Sequence, residues 1–518
     1  MFRVEAKVKL PFLWGKSAFK KDKWNQLNLI VGPNGSGKTL LAEELVRRFE
    51  TAGYSVNFLR AERSDQDECF RRVHDDEDIR KKIEFVLSNM FGKSIRFESK
   101  DGKTVVPTVI NKARGVEYGL QSGECHGLKE ILTLLVALYS EESDCLILDE
   151  PELHLHPQFQ LFFMNEIRKA AAANPSRIFF LITHSPFFID LRLPEDLTGV
   201  IVCHVNRAPT HIDVLSEEDS ALFRRFLPRF NTYHKQFFFS DNQIFVEGYT
   251  DQQMFTYLLD CVEINSGIAG TGIIDVGGKD ELGVFFKVCS MLGTNARIIT
   301  DLDSLFCGKL HDMLCEDLRV IQWIEKQSEK QQPFYRDIFT RKELQHSITF
   351  EKLISKLEYF LVSIGKCICE NVAQTPGEIN LFIEKLTGLY EKYENPESLD
   401  TFKTVVLQGA ARLGQNLEQA LPEEIARTVP LACNLASYIL AAAEAAQVYI
   451  LPGGCIENYY NRNENPYMPI QGKDRLFHAE LEYVMSCTKE RLVAEYPDLV
   501  DILNRAASKN ASIPRKEA

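Results

Sequence analysis

Paired cysteines, long apolar runs and excess positive charge are all missing from this chain. It has 13 cysteines in 518 residues, an odd number, with no Cys-x-x-Cys pair; Cys367 and Cys369 are the closest two. That pattern argues against a disulfide framework or a zinc fold and suits reduced thiols in a cytoplasmic protein. No apolar run approaches the roughly 20 residues that cross a bilayer, so a transporter with its own membrane domain is not expected. The first ten residues alternate like a strand and lack the apolar stretch of a signal peptide. Lys and Arg number 60 against 73 Asp and Glu, a net charge of -13. A generally basic coat for nucleic acid is therefore absent, although local basic patches can still follow a phosphate backbone. Bound cations can also offset clustered carboxylates.

What is present is an ordinary globular composition in a chain too long for one core, so two or more domains are expected. Residues 1–235 alternate strand and helix signals. Apolar strands are predicted at 27–31, 144–148 and 177–182, with a helix over 40–49. A hairpin is predicted from 200–205 and 211–215, split by Asn206-Arg207-Ala208-Pro209. A junction falls at 231–235. A second series follows: strand 244–246, helix 251–259, strand 272–276, helix 280–292 and strand 297–300. Residues 308–445 are rich in Lys, Glu, Leu and Gln and read as helices, before strand character returns at 447–451. The expected architecture is α/β. One domain spans 1–235, and a second is built from 241–307 and 446–506. A large helical insertion occupies 308–445, and a polar tail follows from 507 to 518.

The first motif is Gly32-Pro33-Asn34-Gly35-Ser36-Gly37-Lys38-Thr39, set between a strand and a helix. Glycines let the backbone N–H groups of Asn34, Gly35, Ser36 and Gly37 close around phosphates. Lys38 brings a point charge to the outer phosphates, and the Thr39 hydroxyl faces Mg²⁺. Leu146-Ile147-Leu148-Asp149-Glu150 supplies the partner carboxylates, Asp149 for the metal and Glu150 for the attacking water. ATP is the expected nucleotide. Only about a hundred residues separate Lys38 from Asp149. At about 1.5 Å per residue, that leaves room for helical elaboration but not for a long coiled-coil arm.

A second, separate pattern is acidic. Glu247-Gly248 follows one apolar strand, and Asp301-Leu302-Asp303 follows another. Alternation along the strand would put Asp301 and Asp303 on one side. Carboxylates held together repel unless cations lie between them, and oxygen-only ligands suit Mg²⁺ or Mn²⁺.

Several segments resemble known families. Ser122-Gly123-Glu124, ahead of a helix over 128–139, resembles the signature segment of ABC-type ATPases. His184, just after a strand, resembles their switch histidine. Pro151-Glu152-Leu153-His154-Leu155-His156-Pro157 is similar to the corresponding run in ABC ATPases of DNA metabolism; His154 and His156 are read as structural. The order strand-EG, helix, strand, helix, strand-DxD resembles the Toprim domain. A Toprim domain behind an ABC-type ATPase resembles the overcoming-lysogenisation-defect (OLD) family of nucleases. That resemblance implies Asp251, in Val246-Glu247-Gly248-Tyr249-Thr250-Asp251, and Glu457, in Ile456-Glu457-Asn458-Tyr459, as further metal ligands. It also implies a late lysine that stabilises the transition state, for which Lys473 is the candidate. Gly277-Gly278-Lys279 resembles the family's glycine-lysine turn. Dimerisation through the ATPase domains, a helper protein or retron nucleic acid, and a place in phage defence are implied as well.

The leading expectation is an ATP-regulated, divalent-metal-dependent nuclease. DNA is the expected substrate and RNA the alternative, with Glu247, Asp301, Asp303, Lys473 and Glu150 doing chemistry. The competing expectation is an ATP-switched nucleic-acid clamp that binds without cutting.

Overall fold

The structure, a computed structural model, describes residues 2–62, 66–91, 93–99, 105–111, 113–120, 126–140, 142–239, 243–259, 271–294, 296–328, 332–371, 378–395, 399–461, 467 and 473–508. It divides into two compact units, one of residues 1–241 with 291–294 and one of 242–290 with 295–518.

The first unit holds strands β1 (Phe2–Val8), β2 (Phe19–Trp24), β3 (Leu27–Val31), β4 (Val56–Leu59), β5 (Lys93–Ser99), β6 (Val105–Asn111), β7 (Val116–Gly119), β8 (Cys145–Asp149), β9 (Ile178–Ile182), β10 (Val200–His204) and β11 (Arg207–His211). Six of them form a sheet in the order β11-β10-β3-β9-β8-β4, parallel except at the β10–β11 edge. β8 and β9 are buried along their whole length, which is why they read as unbroken apolar runs rather than alternating ones. Helix Lys38–Thr51 lays Leu41, Ala42, Leu45 and Phe49 on the core side. There Phe49, Trp24 and Phe180 meet edge to face, with ring centroids 5.3 to 5.6 Å apart.

Two expectations shift. The hairpin turns at Val205-Asn206, with Asn206 at φ 67°, and its second strand begins at Arg207. Pro209 sits inside β11. An edge strand tolerates this because proline's missing N–H need not reach a neighbour. The spacing between Lys38 and Asp149 leaves room for helical elaboration, and the stretch holds more than that. It contains helices Gln66–Asp75 and Glu77–Phe91, but also the antiparallel sheet β5-β6-β7. Pro107 obscures the middle strand in the sequence. It lies where β6 pairs with β5 alone, before the β7 pairing begins at Thr108.

The second unit is built on β12 (Gln243–Val246), β13 (Gly272–Asp275), β14 (Arg297–Thr300) and β15 (Val448–Ile450), all parallel in the order β13-β12-β14-β15. Helices Tyr249–Leu259 and Lys279–Leu292 make the crossovers. Between β14 and β15 lies the helical insertion, in which helices Phe350–Asn371, Asp400–Leu413 and Thr428–Ala445 pack together. The packing is close: a Cβ on Gly365 would come within 2.5 Å of the Phe402 ring. One segment corrects the reading that no run is long enough to span a bilayer. An 18-residue window within the 23 residues Glu423–Ala445 has mean hydropathy 1.3 and meets that criterion by length and composition. Their buried residues Val429, Ala432, Leu435, Ile439 and Ala443 recur at helical spacing, and the helix packs on Phe350–Asn371 and β15, as a core helix does.

The aromatic cluster under the first sheet yields a stability test. Phe180→Ala removes a ring that Trp24 and Phe49 enclose. It should cost about 3–5 kcal/mol in urea unfolding of the first unit; a loss under about 1 kcal/mol would mean the cluster is loosely packed.

Candidate nucleotide and metal sites

In the first unit, the carboxyl ends of three neighbouring strands converge. β3 runs into the glycine loop, β8 ends at Asp149, and β9 leads to Thr183-His184. Ligand crevices in parallel sheets form at such ends. Gly32 adopts φ 139°, and a Cβ there would lie 2.2 Å from the Cys203 carbonyl oxygen, so only glycine fits. The loop curls over Lys38, whose ammonium donates to the Gly32 and Pro33 carbonyls at 3.1 and 3.0 Å. Burial lowers the Lys38 pKa, opposed by the nearby carboxylates.

The Thr39 hydroxyl donates to Asp149 Oδ2 at 3.0 Å, while Asp149 Oδ1 is buried without a hydrogen-bond partner among the described residues. Burial raises the Asp149 carboxyl above its usual range, against the Thr39 hydrogen bond. A hydroxyl beside an unsatisfied buried carboxylate oxygen fits a Mg²⁺ ion.

Glu150 departs from the strand with φ 45°, a left-handed conformation that costs an L-residue energy and is concentrated at functional sites. His184 Nε2 lies 3.7 Å from Glu150 Oε1. Burial and the Lys38 charge push the His184 pKa down to about 4, so at neutral pH this is a neutral imidazole beside a carboxylate rather than an ion pair. Glu152, given no role in the sequence, organises this corner. Its carboxylate accepts from the Thr183 hydroxyl at 2.9 Å and from the His184 backbone N–H. Its position two residues beyond Glu150 was the available signal. His156 caps helix Pro157–Ala173 by accepting from the Gln158 N–H. Ser122, Gly123 and Glu124 lie outside the described residues.

The second unit repeats the principle with carboxylates. Glu247 follows β12, Asp301 follows β14, and Glu457 stands beyond β15 in the 3-10 turn Ile456–Tyr459. The order reverses at β12, whose neighbours are β13 and β14, so a crevice opens outside β12 and β14. Glu247, Asp301 and Asp303 each offer an oxygen, all within 4.8 Å of one another. The route to this differs from strand alternation. β14 stops at Thr300, and Asp301 opens the 3-10 turn Leu302–Leu305, which swings Asp303 round beside it.

Glu247 is held firmly. Its Oε1 accepts from the Thr300 hydroxyl at 2.6 Å, the Asp301 N–H at 3.0 Å and the Ser304 hydroxyl at 3.4 Å. Asp251, in the first turn of its helix, accepts from the Gly248 N–H at 3.2 Å. Burial, then Glu247 and Glu457, raise its pKa to about 7. Burial and the other four carboxylates raise Asp301 well above the carboxylate range.

Lys279, noted in the sequence only as part of a turn, sits 3.1 Å from Asp303. Burial alone would lower its pKa, but Asp303, with Cys307 and Glu247, outweighs that and holds it above its ordinary value. Asp303 Oδ1 is buried without a hydrogen-bond partner among the described residues. An oxygen-only, crowded and partly unsatisfied donor set fits Mg²⁺ or Mn²⁺. Lys473 starts helix Lys473–Ser486, and its side chain lies outside the described residues.

These two geometries coincide with two recognised domains. Residues 42–190 match an AAA domain family whose description names the AbiEii toxin of a type IV toxin–antitoxin system. Residues 238–303 match the TOPRIM domain of overcoming-lysogenization-defect-like proteins. The chain thus resembles OLD-family proteins over these segments. It is 28% identical over 218 residues to the OLD nuclease of Thermus scotoductus, covering 40% of this chain and 39% of that protein. It is 24% identical over 187 residues to the endonuclease GajA of Bacillus cereus, covering 32% of this chain and 27% of that protein. The matched segments thus span well under half of either relative. A solved SMC head domain from Thermotoga maritima aligns over 41% of this chain and 100% of its own at 14% identity. Its TM-score of 0.28 is too low to support a structural argument.

The crowded acids of this site make stability depend on pH. Asp251 titrates near 7 when folded against an ordinary 3.8, so the folded state holds the extra proton between those values. Its contribution is full below the lower value and is lost as pH rises through the upper one. Asp251→Asn keeps the acceptor for Gly248. In metal-free protein it should raise Tm relative to wild type at about pH 8 but not at about pH 4. Mn²⁺ should stabilise wild type more than the variant. A Tm difference independent of pH would contradict the crowding.

Proposed function

We propose that the chain is an ATP-regulated, divalent-metal-dependent nuclease that cuts DNA. The observation that supports this best is the trio Glu247, Asp301 and Asp303, with oxygens within 4.8 Å, in the same chain as a complete P-loop site. The names of the two relatives, an OLD nuclease and an endonuclease, favour nuclease chemistry over the clamp reading.

Glu247, Asp301 and Asp303 would hold the divalent ions, with Asp251 and Glu457 at the border. When bound, such ions offset phosphodiester charge and lower the pKa of water. Glu247, fixed by Thr300 and Ser304, has the orientation to take up the proton released during attack. Lys279 brings positive charge to the Asp303 side, where it can draw a phosphate backbone into an otherwise acidic crevice. In the first unit, Lys38 meets the ATP phosphates, Thr39 and Asp149 hold Mg²⁺, and Glu150 orients water. His184, uncharged, offers a hydrogen bond rather than a charge to the outer phosphate. The ABC-type resemblance extends the proposal to a homodimer in which ATP joins two ATPase domains. The OLD resemblance extends it to a role in antiphage defence.

Plasmid cleavage tests the reading. With Mg²⁺ or Mn²⁺, Glu247→Ala should cut at least about 100-fold more slowly than wild type; equal cutting overturns the assignment. Lys38→Ala should weaken ATP binding by about 10–100-fold, the loss of charged hydrogen bonds worth roughly 1.5–3 kcal/mol. Unchanged ATP affinity would remove the phosphate role. Running RNA beside DNA identifies the substrate.

A further inference from the structure

The helical insertion reaches the acidic site through one helix. Helix Asp400–Leu413 packs against the 3-10 turn Leu302–Leu305 that carries Asp303. The Lys403 ammonium, anchored by Glu358 at 2.6 Å, lies 5.7 Å from the centre of the Phe306 ring. Further along the helix, Gln408 is buried and its amide donates to the Gly453 carbonyl at 2.9 Å. The same carbonyl accepts from the Asn458 amide at 2.9 Å, and the Gly453 N–H donates to the Tyr459 hydroxyl oxygen at 2.7 Å. Gly454 follows at φ 110°, so close to the helix that a Cβ would lie 1.6 Å from Gln408 Nε2. Its carbonyl accepts from the N–H of Leu302, the residue between Asp301 and Asp303, at 2.9 Å. Glu457 stands three residues beyond this turn.

We propose that Gln408 is a positioning residue: through Gly453-Gly454 the insertion sets the register of Glu457 against Asp301 and Asp303. The inference rests on reading those carboxylates as a divalent-metal site. Gln408 acts through the backbone. The turn is bonded on one side to the segment that carries two of the acids, and it leads on the other into the segment that carries a third. A glutamine amide suits this role because, buried on the helix, it donates the second hydrogen bond to the Gly453 carbonyl beside that of Asn458. Partners that supply orienting hydrogen bonds typically change metal affinity by about 10–100-fold when removed. The insertion is then a component of the site, and anything that moves helix Asp400–Leu413 changes how the chain binds metal.

The experiment is a Mn²⁺ titration of the nucleotide-free 518-residue chain by calorimetry, alongside thermal melting. Binding lost in Glu247→Ala identifies the events that belong to this site. Gln408→Glu keeps the side-chain volume but replaces the donor with an acceptor. It and Gln408→Ala should each weaken those events by about 10-fold or more. Val406→Ala, on the same helix but packed toward Gly365, should lower Tm and leave Mn²⁺ affinity as in wild type. A folded Gln408→Glu with wild-type affinity overturns the proposal, as does Val406→Ala weakening Mn²⁺ equally. If Glu247→Ala itself binds Mn²⁺ like wild type, the metal-site reading fails first, which is a distinct result.

Discussion

Repulsion among carboxylates at the end of a four-stranded parallel sheet is the constraint that organises the second unit. Glu247, Asp251, Asp301 and Glu457 are each close enough to influence another's titration, and Asp303 joins them through Asp301. No fold gathers such a group without compensation. Some of it is visible in the protein itself. Three donors fix Glu247, and Lys279 is drawn to Asp303. Burial and mutual repulsion push protons back onto Asp251 and Asp301. The remaining demand is for cations, and the oxygen-only donor set matches divalent ones.

The first unit solves the opposite problem with the same architecture. There the carboxyl ends of β3, β8 and β9 bring together the glycine loop, a buried lysine and a strained glutamate. Anion binding is favoured by the loop, and the acids stand back from it in pairs with Thr39 and His184. Glu152 keeps the His184 backbone in register with Glu150, so this corner depends on a hydrogen-bonded clamp as well as on its conspicuous motifs. Both sites therefore rest on strand-end geometry that parallel sheets supply.

Legibility in the sequence followed locality. Lys38, Thr39, Asp149 and Glu150 could be read because their chemistry sits within a few residues of a buried apolar strand. Glu247, Asp301 and Asp303 could be read for the same reason, though the turn that joins the two aspartates is a 3-10 helix rather than a strand end. The sheet β5-β6-β7 is hard to read from the sequence because Pro107 sits inside its middle strand, although its partners are sequence neighbours. Lys279 was visible as a turn residue, but its approach to Asp303 depends on β13 lying beside β12. Gln408 had no local signal at all: 45 residues separate it from Gly453, and only packing of the insertion joins them.

The central claim is that these carboxylates exist to hold divalent cations. Anomalous scattering from crystals grown with Mn²⁺ near neutral pH tests it most directly. The account predicts manganese peaks bounded by oxygens of Glu247, Asp301 and Asp303, lost in Glu247→Ala. A fully ordered site with no manganese among those three side chains would contradict it.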